Sequence, residues 1–220
     1  MGDQFVLNKY VNEHGGVQAL ELAEQLGIKT GDKIIKINGK DFEYFDDVYK
    51  ADMLLSQNSS YTILRGDQQM EIPIPANFIE NFNKKKAQSS FVMPRFAPQV
   101  ETISTNSIAS KVGLKKGDVF VEIQGRPIQY HDELKAVMSD LKSDTLSFKI
   151  KRGADLLSFN EPLNGSKAIG FYPMWVGEEG LKSINYSLGE SVLIGPGRAF
   201  DVIWLQIKAF KKIFSGQLLF

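Results

Sequence analysis

Histidine is the side chain that most often carries acid–base or metal chemistry near neutral pH, and this 220-residue sequence has two, His14 and His131. Neither has a second histidine four residues away, the spacing at which a helix presents two ligands to one metal. Cysteine is absent, which removes thiolate nucleophiles, disulfides and sulfur-ligated metal sites together. His131 stands beside Asp132 and Glu133, but neighbouring residues at a helix start point in different directions, so a helix-cap setting is expected rather than a ligand set. Lys84-Lys85-Lys86 reads as the cationic end of a helix followed by a polar joint. Gly195-Pro196-Gly197 is a turn without the pattern of a phosphate loop. The expectation is a chain with no catalytic residues, no metal ligands and no cofactor of its own.

Composition narrows the classes further. Lys and Arg number 26, as do Asp and Glu, for a net charge of zero. That balance argues against nucleic acid as a partner, because nucleic-acid binders carry a surplus of cations. An apolar share of 43% with 15 Phe indicates a globular chain. No run reaches the roughly 18 to 20 apolar residues that a spanning helix needs, and Met1-Gly2-Asp3-Gln4 lacks the basic and apolar regions of a signal peptide. Met1-Gly2 directly before a folded-looking segment reads as the start of a piece of a longer protein. Near the other end, Phe200, Ile203, Trp204, Ile207, Phe210 and Phe214 fall on one helical face. Arg198, Lys208, Lys211 and Lys212 lie elsewhere against the single acid Asp201, a local charge of +3. A basic amphipathic helix of this kind suits either a membrane interface or packing on a neighbouring domain.

The elements that position any site come from an internal repeat. Gly27-Ile28-Lys29-Thr30-Gly31-Asp32, the apolar run Lys33–Ile37 and Asn38-Gly39 recur 86 residues later as Gly113-Leu114-Lys115-Lys116-Gly117-Asp118, Val119–Ile123 and Gln124-Gly125. Ile63-Leu64-Arg65-Gly66 recurs as Ile150-Lys151-Arg152-Gly153. In each copy Gly-Asp is a turn whose Asp can bind its own downstream backbone, followed by a strand and a tight reversal. Asp46 or Asp132 then opens a helix with apolar residues at helical spacing: Val48, Met53 and Leu54, or Leu134, Val137, Met138 and Leu141. Strands follow at residues 60–64 and 146–150, with returning strands at 70–74 and 156–159 after the Arg-Gly turns.

This succession resembles bacterial PDZ domains, most clearly in the second copy, where residues 107–118 run Ser-Ile-Ala-Ser-Lys-Val-Gly-Leu-Lys-Lys-Gly-Asp. The family's apolar-Gly-apolar loop stands behind these elements rather than ahead of them, as Ala168-Ile169-Gly170-Phe171 and more loosely as Ser90-Phe91-Val92. That order resembles the circularly permuted PDZ modules found in tandem in site-2 proteases of the regulator-of-sigma-E type, which are zinc intramembrane metalloproteases. The resemblance implies a mixed α+β fold: two tandem permuted PDZ domains, each a small β-sandwich or barrel with capping helices, at 1–94 and 95–176. A linker and the C-terminal amphipathic helix would occupy 177–220.

A PDZ groove binds by β-augmentation, with backbone N–H groups of the loop receiving a terminal carboxylate. The resemblance therefore assigns peptide binding to Ile169, Gly170 and Phe171 facing His131, Lys135 and Met138, and in the first copy to Ser90, Phe91 and Val92. Without the central glycine the first groove is expected to be closed or merely structural. The family's His-Glu-x-x-His and Leu-Asp-Gly motifs are missing, so zinc belongs to the parent protease and this chain is expected to be inactive alone. The implied partners are protein or peptide substrates, among them C-termini of cleaved membrane proteins, together with the membrane surface met by the C-terminal helix. The implied location is the periplasmic face of the bacterial inner membrane. Two other readings stay open: a free-standing PDZ adaptor near a membrane, and the regulatory part of a trypsin-like periplasmic serine protease.

Overall fold

In a computed structural model, residues 3–50, 58–75, 78, 91–163 and 168–184 are described. The chain opens with Asp3–Val6 (β1) and Asn8–Glu13 (α1), then Val17–Ala19 (β2), Glu21–Leu26 (α2) and Lys33–Ile37 (β3). A 3-10 turn, Phe45–Tyr49, precedes Ser60–Arg65 (β4), Gln68–Pro73 (β5) and Val92–Pro94 (β6). The second copy begins with Val100–Ile103 (β7), Ile108–Lys111 (α3), Val119–Ile123 (β8) and Arg126–Pro127 (β9). It continues through His131–Ser139 (α4), Thr145–Arg152 (β10), Asp155–Pro162 (β11) and Phe171–Pro173 (β12). Leu181–Ile184 (β13) ends the described chain.

Two compact units result. Arg95–Gly177 forms unit 2, while unit 1 combines the described residues up to Pro94 with those from Glu178 onward. Residues 181–184 are thus a strand of unit 1, paired antiparallel with β1 (Asp3 opposite Ile184), where the sequence reads as linker. The remaining sheets of unit 1 are β3-β4-β5 and β2-β6, and those of unit 2 are β11-β10-β8-β9 and β12-β7. Each unit has its own apolar core. Val17, Leu22, Ile34, Ile37, Tyr61, Ile63 and Phe91 fill the first, and Phe120, Ile123, Leu146, Phe148 and Ile150 fill the second.

The repeated residues do the same local work twice. Asp32 Oδ2 accepts from the Lys29 N–H at 2.7 Å and Asp118 Oδ2 from the Lys115 N–H at 2.8 Å, closing the turn before β3 and before β8. Both carboxylates also take a two-pronged contact from the arginine that ends the neighbouring strand, Arg65 or Arg152, whose Nη2 reaches the carbonyl of Gly27 or Gly113. After the strands, Asn38 and Gln124 sit at φ 51° in reversals that match the twist of the hairpins. Their side-chain oxygens accept from the N–H groups of Ser60 and Ser147.

Departures occur at the helices. The Asp46 segment is a 3-10 turn through Tyr49, and residues 51–57, with Met53 and Leu54, lie outside the described residues. In α4 the cap residue is Tyr130, not Asp132. Glu133 reaches back to the N–H groups of Gln129 and Tyr130 at 2.7 and 3.1 Å, the reciprocal half of a capping box. Asp132 instead pairs with Arg95, whose guanidinium also bonds Glu133 and lies 3.6 Å from the Tyr130 ring centre.

Candidate functional site

In unit 2, β12 uses one edge to pair with β7 (Phe171 opposite Ile103, Tyr172 opposite Thr102), and among the described strands its other edge has no partner. The loop ahead of it is pinned by its carbonyls. Ile169 C=O accepts from Ala109 N–H at 2.9 Å, and Gly170 C=O accepts from Ser104 N–H at 2.9 Å and Ser107 Oγ at 3.3 Å. The N–H groups of Ile169 and Gly170 meet no backbone acceptor among the described residues. Glycine is required here: Gly170 has φ +87°, and a Cβ would stand 2.1 Å from Ser107 Cβ.

Facing this edge is α4. His131 presents its ring edge-on to Phe171 (centroids 6.0 Å, planes at 88°), and Phe171 in turn stacks on Phe120 at 4.8 Å. Lys135, one turn along, is exposed. Leu134, Met138 and Ile169 are buried in the core, so Ile169 and Met138 form floor and backing rather than free contact surface. The structure thus sets Phe171, which follows Ile169 and Gly170, beside His131 of α4, with Lys135 exposed one turn along and Met138 in the core; the side of β12 that faces α4 is the candidate cleft.

Two aromatic residues that sequence reading passed over, Phe96 and Trp175, adjoin His131. Phe96 lies between His131 and Trp175, with ring centroids 5.1 and 5.2 Å away and planes tilted by 20° and 22°. The signal for them was faint. Only the surplus of aromatics flanking the second copy, Phe96 on one side and Trp175 on the other, could have pointed there.

His131 is held neutral. Burial, and then the charge of Lys135, outweigh the favourable effect of Asp132 and push its pKa from 6.5 to about 4. Its Nδ1 is buried and meets no partner among the described residues. Because folding depresses this pKa, the unfolded chain binds more protons between the two values. The stabilisation is complete above about pH 6.5 and is lost as pH falls toward about 4. The imidazole resonances of His131 are therefore expected to titrate near pH 4, and the fall in melting temperature between pH 6.5 and 4 should be smaller in His131→Gln. A midpoint near 6.5 would show that the ring is not desolvated.

In unit 1 the equivalent cleft is filled from within. Ser90 lies outside the described residues, and Phe91 and Val92 are fully buried in the core. The Phe91 carbonyl accepts from Leu20 N–H at 2.7 Å, so Phe91 takes the place of Gly170 with a large inward side chain. Tyr49 occupies the position 86 residues before Lys135, and its hydroxyl donates to the Val92 carbonyl. Burial, and then the charge of Asp46, drive the Tyr49 hydroxyl well above the ordinary phenol range, keeping it protonated as a donor. The carbonyl that an added strand would use is already bonded.

Residues 82–163 match the sequence profile of the PDZ domain, and this chain contains one. It is also homologous, at low identity, to proteins of the site-2 protease class. The regulator of sigma-E protease RseP of Escherichia coli K12 is 26% identical over 171 residues, covering 71% of this chain and 38% of that protein. A putative zinc metalloprotease of Campylobacter jejuni is 30% identical over 141 residues, 56% of this chain and 35% of that protein. The periplasmic serine endoprotease DegP of Salmonella typhimurium is 26% identical over 145 residues, 60% of this chain and 30% of that protein. The chain therefore spans about a third of the length of these relatives.

Among the described residues no three His, Asp or Glu side chains are grouped to hold a metal. His14 stacks on Tyr10 at 3.9 Å, with Nδ1 beside the Tyr10 carbonyl. No helix of the described residues is long and apolar enough to cross a membrane. Phe200, Ile203, Trp204, Ile207, Phe210 and Phe214 lie outside the described residues.

Proposed function

We propose that this chain is the tandem, circularly permuted PDZ region of an intramembrane zinc metalloprotease, lying at the periplasmic face of the membrane and binding protein C-termini before the parent enzyme cuts. In this reading 1–94 and 95–176 are the two PDZ modules, and 177–220 lead to an amphipathic helix at the membrane surface. Homology to putative zinc metalloproteases supports the parent, and the double Asp–Arg and Gly-Asp construction supports a duplicated module.

The observation that carries the binding reading is the unpartnered edge of β12, preceded by the N–H groups of Ile169 and Gly170 and faced by His131 and Lys135. An extended tail adds to that edge as an antiparallel strand. The two N–H groups receive its carboxylate, and Lys135 adds a positive charge from α4. Recognition is assigned to unit 2 alone, since Tyr49 already bonds the corresponding edge in unit 1.

Amide chemical shifts followed during titration with a peptide ending in a free carboxylate test this directly. Residues 168–171 and 131–138 are expected to move, unit 1 is expected to stay still, and Lys135→Glu should weaken binding by roughly three- to tenfold. Equal shifts with the C-terminally amidated peptide, or movement confined to unit 1, would remove the proposal.

A further inference from the structure

We infer that the cleft of unit 2 is a short slot that reads only about the last two residues of a free C-terminal tail, with Pro173 and Trp175 setting that length. The inference rests on the reading of β12 as the peptide-receiving edge and adds what class of peptide it takes.

The backbone of β12 shows why. Gly170 C=O accepts from Ser104 N–H, and Met174 N–H donates to Gln99 C=O, both at 2.9 Å. The Gly170 C=O and the Met174 N–H therefore face the β7 side. Polar groups of alternate residues in a strand face opposite edges, so those facing the cleft belong to Phe171 and Pro173. Phe171 offers an N–H and a C=O. Pro173 has no N–H, and only its C=O remains for an incoming strand.

A tail whose terminal residue lies opposite Phe171 places the residue two before it opposite Pro173. Its carbonyl then finds no donor. The next N–H along the chain, that of Met174, is already taken by Gln99. An unanswered carbonyl beside a half-buried edge forfeits the hydrogen bond that would reward a longer strand.

Side chains close the same end. Trp175 continues from β12 and stacks on Phe96, and Phe96 stacks on His131, the first residue of α4. This run of three rings connects the strand side of the cleft to its helix side. At the opposite end stands the Gly170 loop, pinned to Ser104 and Ser107. A slot bounded at both ends admits a chain end and leaves little room for a through-running strand. Trp175 nevertheless remains 53% exposed, so the outer face of the barrier is open to solvent and its replacement leaves the core intact.

The test uses the whole chain and three peptides with free carboxylates: Ala-Leu, Ala-Ala-Leu and Ala-Ala-Ala-Ala-Leu, each titrated while amide shifts are followed. In the unaltered protein the three dissociation constants are expected to agree within about twofold. Pro173→Ala restores a donor to the edge and should make the longest peptide bind about three- to tenfold more tightly than the dipeptide, the range expected for one added hydrogen bond. Trp175→Ala should produce a length dependence in the same direction. Pro94→Ala, the same position in unit 1, should change nothing. If affinity in the unaltered protein climbs more than tenfold from two to five residues, the slot is wrong and peptide binding stands. If none of the peptides binds the unaltered protein or either unit 2 variant, the peptide reading fails and this inference falls with it.

Discussion

Asp118→Ala is expected to destabilise unit 2 by about 2 to 3 kcal/mol, while leaving unit 1 unchanged. The carboxylate is 1% exposed and accepts from Arg152 Nε and Nη2, both at 2.7 Å, and from the Lys115 N–H at 2.8 Å. Alanine removes all three bonds and leaves the guanidinium facing a vacated pocket. The figure stays below the roughly 3 to 5 kcal/mol of fully buried pairs because the Arg152 side chain keeps 30% of its surface in solvent and can rehydrate. Burial alone would raise the Asp118 carboxyl, but the Arg152 guanidinium and the Lys115 N–H prevail and hold it below the ordinary carboxylate range. Its stabilisation is thus present above the unfolded value and is lost as pH falls through the lower folded one. Hydrogen exchange resolved by peptide mass separates the units. Protection should fall in 95–177 for Asp118→Ala and in unit 1 for Asp32→Ala, and a global loss from either change would contradict two independent cores.

Gly16→Ala should cost unit 1 about 2 to 5 kcal/mol, the sum of two strains. A Cβ on Gly16 would stand 2.3 Å from the Asp32 carbonyl oxygen and 2.9 Å from its carbon. These are backbone atoms that cannot rotate aside, so the cost of overpacking, about 1 to 3 kcal/mol, applies. The φ of +71° adds about 1 to 2 kcal/mol for any residue with a side chain. The same Asp32 carbonyl accepts the Val17 N–H at 2.9 Å, so displacing it loosens β2 as well. Gly39 separates the two terms: its φ is +73°, yet a Cβ there would meet nothing within 4 Å. Urea midpoints of Gly16→Ala and Gly39→Ala should therefore differ by the collision alone. Equal midpoints would show that the turn around Asp32 gives way.

The strands of both repeats were legible because their signals are local. Lys33–Ile37 and Val119–Ile123 stand where apolar β-branched runs follow Gly-Asp and precede a polar-Gly reversal. The helices were less so. Asp132 and Glu133 both look like caps in sequence, and only the position of Arg95, 37 residues away from Asp132, decides which of them bonds backbone and which a guanidinium. The cleft shows the same limit. The Gly170 loop could be read from its residue pattern, but the closure by Tyr49 depends on a hydroxyl meeting a carbonyl 43 residues distant. The Trp175–Phe96–His131 stack gathers residues from three separate segments, and no spacing rule connects them. A four-residue strand such as β13, whose partner β1 lies about 180 residues before it, leaves no local trace in the sequence.

The pairing of β1 with β13 also orders events in time. Asp3 and Ile184 are register partners, so β1 waits for a strand made only after all of Arg95–Gly177. At about 5 to 20 residues per second, that wait is roughly ten to forty seconds. During this interval β1 is an unpaired edge, and unit 2 is made ahead of the strand that completes the β1 pairing. A nascent chain halted before β13 emerges holds an unlatched unit 1, which makes β13, rather than β1, the strand that commits unit 1 to its final form.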